Sequence, residues 1–143
     1  MIKKIQPCLL SGELIVPASK SDAQRAILAA SLCEGRSEVY NVGSSDDVRA
    51  MLDCVKEIGA TVLENENSVS IIGVANFPKK ASFNCGESGL AFRLIAGVCS
   101  VNDGVYQLNG SGSLLQRKHS FIDGLNTILA TSACPVFPEQ TSL

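Results

Sequence analysis

Apolar positions recur along this chain with two different periods, and the switches between them divide it into short elements. Leu14 and Val16, two apart, predict a strand, and the apolar run over residues 23–33 predicts a buried helix stopped by Gly35. Residues 37–42, SEVYNV, predict a second strand. Ser45, Asp46 and Asp47 then offer a helix cap with acids in the first turn. Val48, Met51, Leu52, Val55 and Ile58 follow at helical spacing until Gly59. Strands around 61–63 and 69–72 flank the polar turn Glu64-Asn65-Glu66-Asn67. The order over residues 12–75 is β-α-β-α-β-β.

A second pass begins at residue 76. Residues 81–84 predict a strand, 88–99 a buried helix and 105–108 a strand, and Phe121, Ile122, Leu125, Ile128 and Leu129 predict an amphipathic helix. Laid on each other, the units put SDAQR over SGLAFR, so that each first helix starts with a serine and carries an arginine about one turn on. The second unit, 76–143, is incomplete: after Ala130 the sequence TSACPVFPEQTSL contains Pro135 and Pro138, which interrupt strand pairing. That tail reads as the mark of a fragment or of a departure from a longer parent's plan, with an unusual structured terminus as the plainer alternative.

Composition narrows the function. The chain has 143 residues, 45% hydrophobic and 18% charged, with a net charge of −2, which fits one globular domain and gives no general attraction to nucleic acid or to anionic membrane. Basic residues are not interleaved with aromatics, which make up 5%, and this too disfavours nucleic-acid binding. Six cysteines at 8, 33, 54, 85, 99 and 134 form no C-x-x-C pair and read as reduced core residues, pointing to the cytoplasm. No signal peptide or membrane-spanning run is legible.

Against that acidic background, PASKSDAQR, residues 17–25, stands out. The first turn of a helix has unpaired N–H groups and a positive dipole end, so Lys20, Ser21 and Arg25 there make a compact receptor for phosphate or carboxylate. The competing interpretation is that Ser19 or Ser21 only caps the helix while Arg25 pairs with Asp22. In NCGESGLAFR, Gly86 and Gly89 permit close backbone approach to a ligand and Arg93 follows one turn on, although Glu87 would repel an anion; a tight strand-to-helix turn with Arg93 at the surface accounts for the same residues. GSGSLLQRK delivers Arg117 and Lys118 ahead of a helix, where basic residues are often only solvated. His119 is the only histidine, so nothing resembling a histidine-based triad or metal site can be built without it. Asp46 and Asp47 are explained by the helix dipole alone.

Taken in order, PASKSDAQRAILAASL, SSDDVRAMLDCVKEIGA, CGESGLAFRLIAG and GSLLQRK resemble the enolpyruvylshikimate phosphate synthase family, the 3-phosphoshikimate 1-carboxyvinyltransferases, over about residues 12–130. The resemblance implies an α/β fold of repeated β-α-β-α-β-β units of the enolpyruvyl transferase type, one complete here and one incomplete. It implies a cytoplasmic transferase of aromatic amino acid biosynthesis, with shikimate 3-phosphate and phosphoenolpyruvate as substrates and no cofactor or metal. By the same resemblance Lys20 touches both substrates, Ser21 and Arg25 hold shikimate 3-phosphate, Gly89 and Arg117 bind phosphoenolpyruvate, and Arg93 supports them. Glu87 departs from the asparagine that many members carry.

Family members are about three times this length. The expectation is therefore that the chain is a portion without the opposing acid/base groups, inactive alone, and prone to self-association through uncovered faces. A stand-alone anion-binding module is the alternative. The UDP-N-acetylglucosamine enolpyruvyl transferases share the architecture, but their K-N-A-A-type opening differs from SKSDAQR and ranks them behind.

Overall fold

The computed structural model describes residues 3, 4 and 6–116. Three α-helices and five strands follow one another as α1 (Lys20–Ser31), β1 (Arg36–Tyr40), α2 (Asp46–Ile58), β2 (Thr61–Glu64), β3 (Ser68–Ile72), β4 (Lys80–Asn84), α3 (Gly89–Ser100) and β5 (Val105–Asn109), and a single 3-10 turn at Gly112–Leu114 closes the described chain. The fold is mixed α/β. The expected amphipathic helix at 121–129 and the proline-containing tail lie outside the described residues.

Two sheets organise the elements. The first has the order β1-β3-β2, all antiparallel, with Glu38 opposite Ser70 and Leu63 also opposite Ser70. The second is β4 beside β5, parallel, with Phe83 opposite Leu108. A parallel pair needs a crossover, and α3 supplies it. Helix α2 packs against α1, against α3 and against β4, so it bridges the two sheets.

Helix α2 shows why the pattern was readable. The Ser45 side chain accepts the Val48 N–H, Asp46 and Asp47 sit in the first turn, and Gly59 ends the helix at φ 106°, a left-handed conformation that glycine adopts without a Cβ penalty. Its apolar stripe, Val48, Met51, Leu52, Val55 and Ile58, is buried and meets Ile27, Ile71, Phe83 and Ile95 in one core. At the second sheet Phe77, Phe83 and Tyr106 cluster, the Phe77 and Tyr106 rings edge-to-face with centroids 5.5 Å apart. The Tyr106 hydroxyl donates to the Pro78 carbonyl at 2.8 Å.

Three expectations are corrected. Leu14 and Val16 form no strand: they and Ile15 are exposed, and no strand takes them up. Strand propensity acts only where an edge accepts the ladder, and this segment has none. Helix α1 ends at Ser31 with Leu32 as its cap in right-handed geometry, so Gly35 (φ 95°) belongs to the following turn and not to the helix stop. Among the cysteines, Cys54, Cys85 and Cys99 are buried as expected, but Cys8 and Cys33 are exposed. Burial pushes the Cys99 thiol up to about 12. Cys134 lies outside the described residues. No helix among the described residues is long and apolar enough to cross a membrane.

Candidate anion-binding site

Three helices begin at one end of the molecule because side chains from each first turn reach the next. Ser19 is the N-cap of α1, its hydroxyl accepting the Asp22 N–H at 3.4 Å, and Lys20 is the first helical residue. Lys20 Nζ reaches Asp47 Oδ2 in the first turn of α2 at 2.7 Å. Ser88 is the N-cap of α3, accepting the Ala91 N–H at 3.2 Å, and its own hydroxyl donates to Gln24 Oε1 at 2.9 Å. Gln24 Nε2 in turn donates to the Lys20 carbonyl at 3.2 Å. The positive dipole ends and unpaired N–H groups of the helices are thereby gathered on one side, where a negative charge is favoured.

The glycine-rich turns are fastened to each other at the same end. Cys85 N–H donates to Asn109 O at 2.9 Å and Ser111 N–H to Gly86 O at 2.8 Å. Glu87 Oε2 accepts the Ser113 N–H at 3.0 Å, at the start of the 3-10 turn. Gly112, beside the Glu87 carboxylate, sits at φ 51°, a left-handed conformation that glycine adopts without a Cβ penalty. Glu87, read from the sequence as a group that would repel an anion, thus has a structural partner in the loop that leads to Arg117.

The individual candidates fare differently. Lys20 is exposed but ion-paired to Asp47, and Arg25 is exposed and ion-paired to Asp22 at 3.1 Å within its own helix, the simpler arrangement that the sequence left open. Ser21 and Gly89 are half-buried at the starts of α1 and α3, and Arg93 is exposed on α3. Arg117, Lys118 and His119 lie outside the described residues. A cavity of about 320 Å³ is lined instead by residues around Asn41–Ser45 and Glu64–Asn67 with Arg49, and none of Lys20, Ser21, Arg25, Gly89 or Arg93 lines it. Among the described residues no group of three or more His, Cys, Asp or Glu could hold a metal ion.

The overlay of the two helix starts also shifts. The capping serines are Ser19 and Ser88, not Ser21 and Ser88, which puts Arg25 six residues past its cap and Arg93 five past. One residue of offset is about 100° around a helix, so the two arginines project in different directions.

Comparison with known proteins decides the relationship. Residues 4–130 match the model of the EPSP synthase (3-phosphoshikimate 1-carboxyvinyltransferase) family. The chain belongs to the EPSP synthase family. It is similar to the 3-phosphoshikimate 1-carboxyvinyltransferase of Clostridium beijerinckii, 35% identical over 123 residues that make up 80% of this chain and 28% of the relative. The enzyme of the same name from Methanocorpusculum labreanum is 39% identical over 111 residues, 76% of this chain and 26% of that one. The solved EPSP synthase from Acinetobacter baumannii superposes with a TM-score of 0.70 at 25% identity, covering 83% of this chain and 28% of that one. The chain spans little more than a quarter of the EPSP synthases it matches.

Gln24 and Asp47 are the residues that sequence reasoning missed at this site. Gln24 carried no motif signal beyond its place inside SDAQR, and Asp47 was already accounted for by the helix dipole.

Proposed function

We propose that this chain forms the cationic part of an EPSP synthase active site, serving transfer of the enolpyruvyl group of phosphoenolpyruvate to the 5-hydroxyl of shikimate 3-phosphate in the cytoplasm. Lys20 meets both substrates, Ser21 and Arg25 hold shikimate 3-phosphate, Gly89 and Arg117 take the phosphate of phosphoenolpyruvate, and Arg93 supports them. The observation that carries the reading is the family match over residues 4–130; it is supported by Lys20 and Gly89 being the first residues of two helices joined through the Ser88–Gln24 hydrogen bond. Residues 12–75 and 76–143 are read as a whole and a partial copy of one repeat.

The chemistry explains why cations gather there. Protonation of the enol carbon and attack by the ring hydroxyl give a tetrahedral intermediate, from which phosphate leaves as the methyl group is deprotonated. Fixed positive charge and helix N–H groups stabilise the departing phosphate without reorganisation. The 143 residues alone supply this electrostatic part and do not turn over.

Two measurements test the reading on the purified chain. Titration with shikimate 3-phosphate is expected to shift the backbone amide resonances of Lys20 to Arg25 with a Kd of about 1 mM, a binding energy near 4 kcal/mol. A coupled phosphate-release assay with both substrates is expected to give no signal. Absence of those amide shifts overturns the substrate assignment, and clear phosphate release overturns the claim that the chain does not turn over.

A further inference from the structure

Gln24 is only 1% exposed, yet its side chain is a polar amide in the core between α1 and α3. An amide buried without partners destabilises a fold, so its retention in a core asks for both ends to be used. Both are. The Lys20 carbonyl can only accept, which forces Nε2 toward α1 at 3.2 Å and turns Oε1 toward Ser88 at 2.9 Å. Ser88, 2% exposed, must therefore spend its single proton on Gln24, leaving its lone pairs for the Ala91 N–H at 3.2 Å. The result is a one-way relay, from the Ala91 N–H through the Ser88 hydroxyl and the Gln24 amide to the Lys20 carbonyl. Each link fixes the polarity of the next.

Residues 24 and 88 are 64 apart in sequence, and each lies in a helix start that bears candidate ligands. We propose that Gln24 is a positioning residue: its amide sets the spacing and orientation of the α3 start against the α1 start, so that Lys20 and Gly89 present their groups to the same bound anion. This rests on the reading of the preceding subsection. No hydrophobic residue of similar volume can substitute, because it would leave the Lys20 carbonyl without this donor and the Ser88 hydroxyl without an acceptor in the core. A neutral carboxylic acid can, since it offers one donor and one acceptor at about the same positions; an ionised carboxylate cannot, because it has no proton for Lys20.

Gln24→Glu therefore has a pH signature that a volume or packing role would not produce. Burial raises the carboxyl's pKa above its ordinary value, so the acid form returns within the range where the protein can be studied. Affinity for phosphoenolpyruvate, the anion assigned to both Lys20 and Gly89, is measured by amide-shift titration for wild type, Gln24→Met and Gln24→Glu, and each variant is expressed as a ratio to wild type at the same pH, which cancels the ligand's own titration. The expectation is a loss of at least about tenfold for Gln24→Met at every pH, and for Gln24→Glu a similar loss near pH 8 that recovers toward wild type near pH 5.

Equal affinities across the three proteins, or a Gln24→Glu ratio that does not change with pH, would overturn the proposal. If Gln24→Met does not fold, the Gln24→Glu ratio decides alone. If wild type shows no amide shift with phosphoenolpyruvate, the substrate assignment of Gly89 falls, and the relay is read from hydrogen exchange. In that case the Ala91 amide of Gln24→Glu should exchange faster than wild type near pH 8 and match it near pH 5, and unchanged protection at both would overturn the relay.

Discussion

Replacing Asp47 with asparagine removes one negative charge from beside Lys20 while keeping the side chain's shape. Lys20 Nζ lies 2.7 Å from Asp47 Oδ2, with the lysine side chain 60% exposed and the aspartate 24%. An anion bound by the same ammonium group would sit a further hydrogen-bond length away, about 5 Å from the carboxylate. At that distance two unit charges repel by about 0.8 kcal/mol in water and by about 3 kcal/mol at an effective dielectric constant of 20. The exposure of Lys20 places the pair nearer the first value, so Asp47→Asn is expected to tighten shikimate 3-phosphate binding by about fivefold, or roughly 1 kcal/mol. The gain should shrink as salt is raised, because screening weakens the repulsion that the substitution removes. Stability should fall only slightly: a first-turn acid contributes about 0.3–1 kcal/mol through the helix dipole, and Asp46 remains in that turn. Amide-shift titration at low and high salt, together with a thermal melt, measures both effects. Weaker binding by Asp47→Asn at low salt would refute the reasoning, because it would mean that Asp47 aims Lys20 rather than competing for it.

Two further outcomes concern the frame around the site. Gly73 is packed against the end of α1, where an added Cβ would overlap the carbonyl oxygens of Cys33, Ala30 and Ser31, while Val74 N–H donates to Ser31 O at 3.0 Å. Backbone carbonyls cannot step aside as a side chain would, so Gly73→Ala should cost about 2–3 kcal/mol, read as a lower urea midpoint with an unchanged m-value. Glu38 accepts hydrogen bonds from Ser70 Oγ at 2.7 Å and Arg36 Nη2 at 2.7 Å, and these, the Ser70 bond foremost, hold its carboxyl below the usual range. A carboxyl whose pKa is depressed in the fold contributes stability that is present above its unfolded value, about 4.3, and is lost as pH falls through the folded value. Ser70→Ala should therefore lower stability near neutral pH and approach wild type in acid, and a difference that persists undiminished in acid would contradict this.

What was legible in the sequence, and what was not, separates by the range of the interaction. Helix α2 could be read residue by residue because everything that specifies it is local: the Ser45 cap, the stripe from Val48 to Ile58 and the left-handed Gly59 all lie within one short segment. The strand expected at Leu14 and Val16 failed because a strand is completed by an edge, and an edge is supplied by distant residues. Gln24 lies further along the same scale. Inside SDAQR it reads as one more polar residue, since the partner that makes it structural is Ser88, 64 residues on with five elements between them. Asp47 was hidden for the opposite reason: its local role at the helix dipole was sufficient by itself, and nothing in the sequence asked for a second one across to Lys20. The motif residues are therefore where a linear reading is strongest, and the groups that hold those residues in relation to one another are where it is weakest. The proposed anion site, assembled from three helix starts, depends on both. The cations and N–H groups set what can bind, the buried amide sets whether those groups act on one ligand or on several points of an open surface, and the paired carboxylate competes with the ligand for Lys20. Substitutions at Gln24 and Asp47 separate these contributions, because neither residue is itself required to touch the substrate.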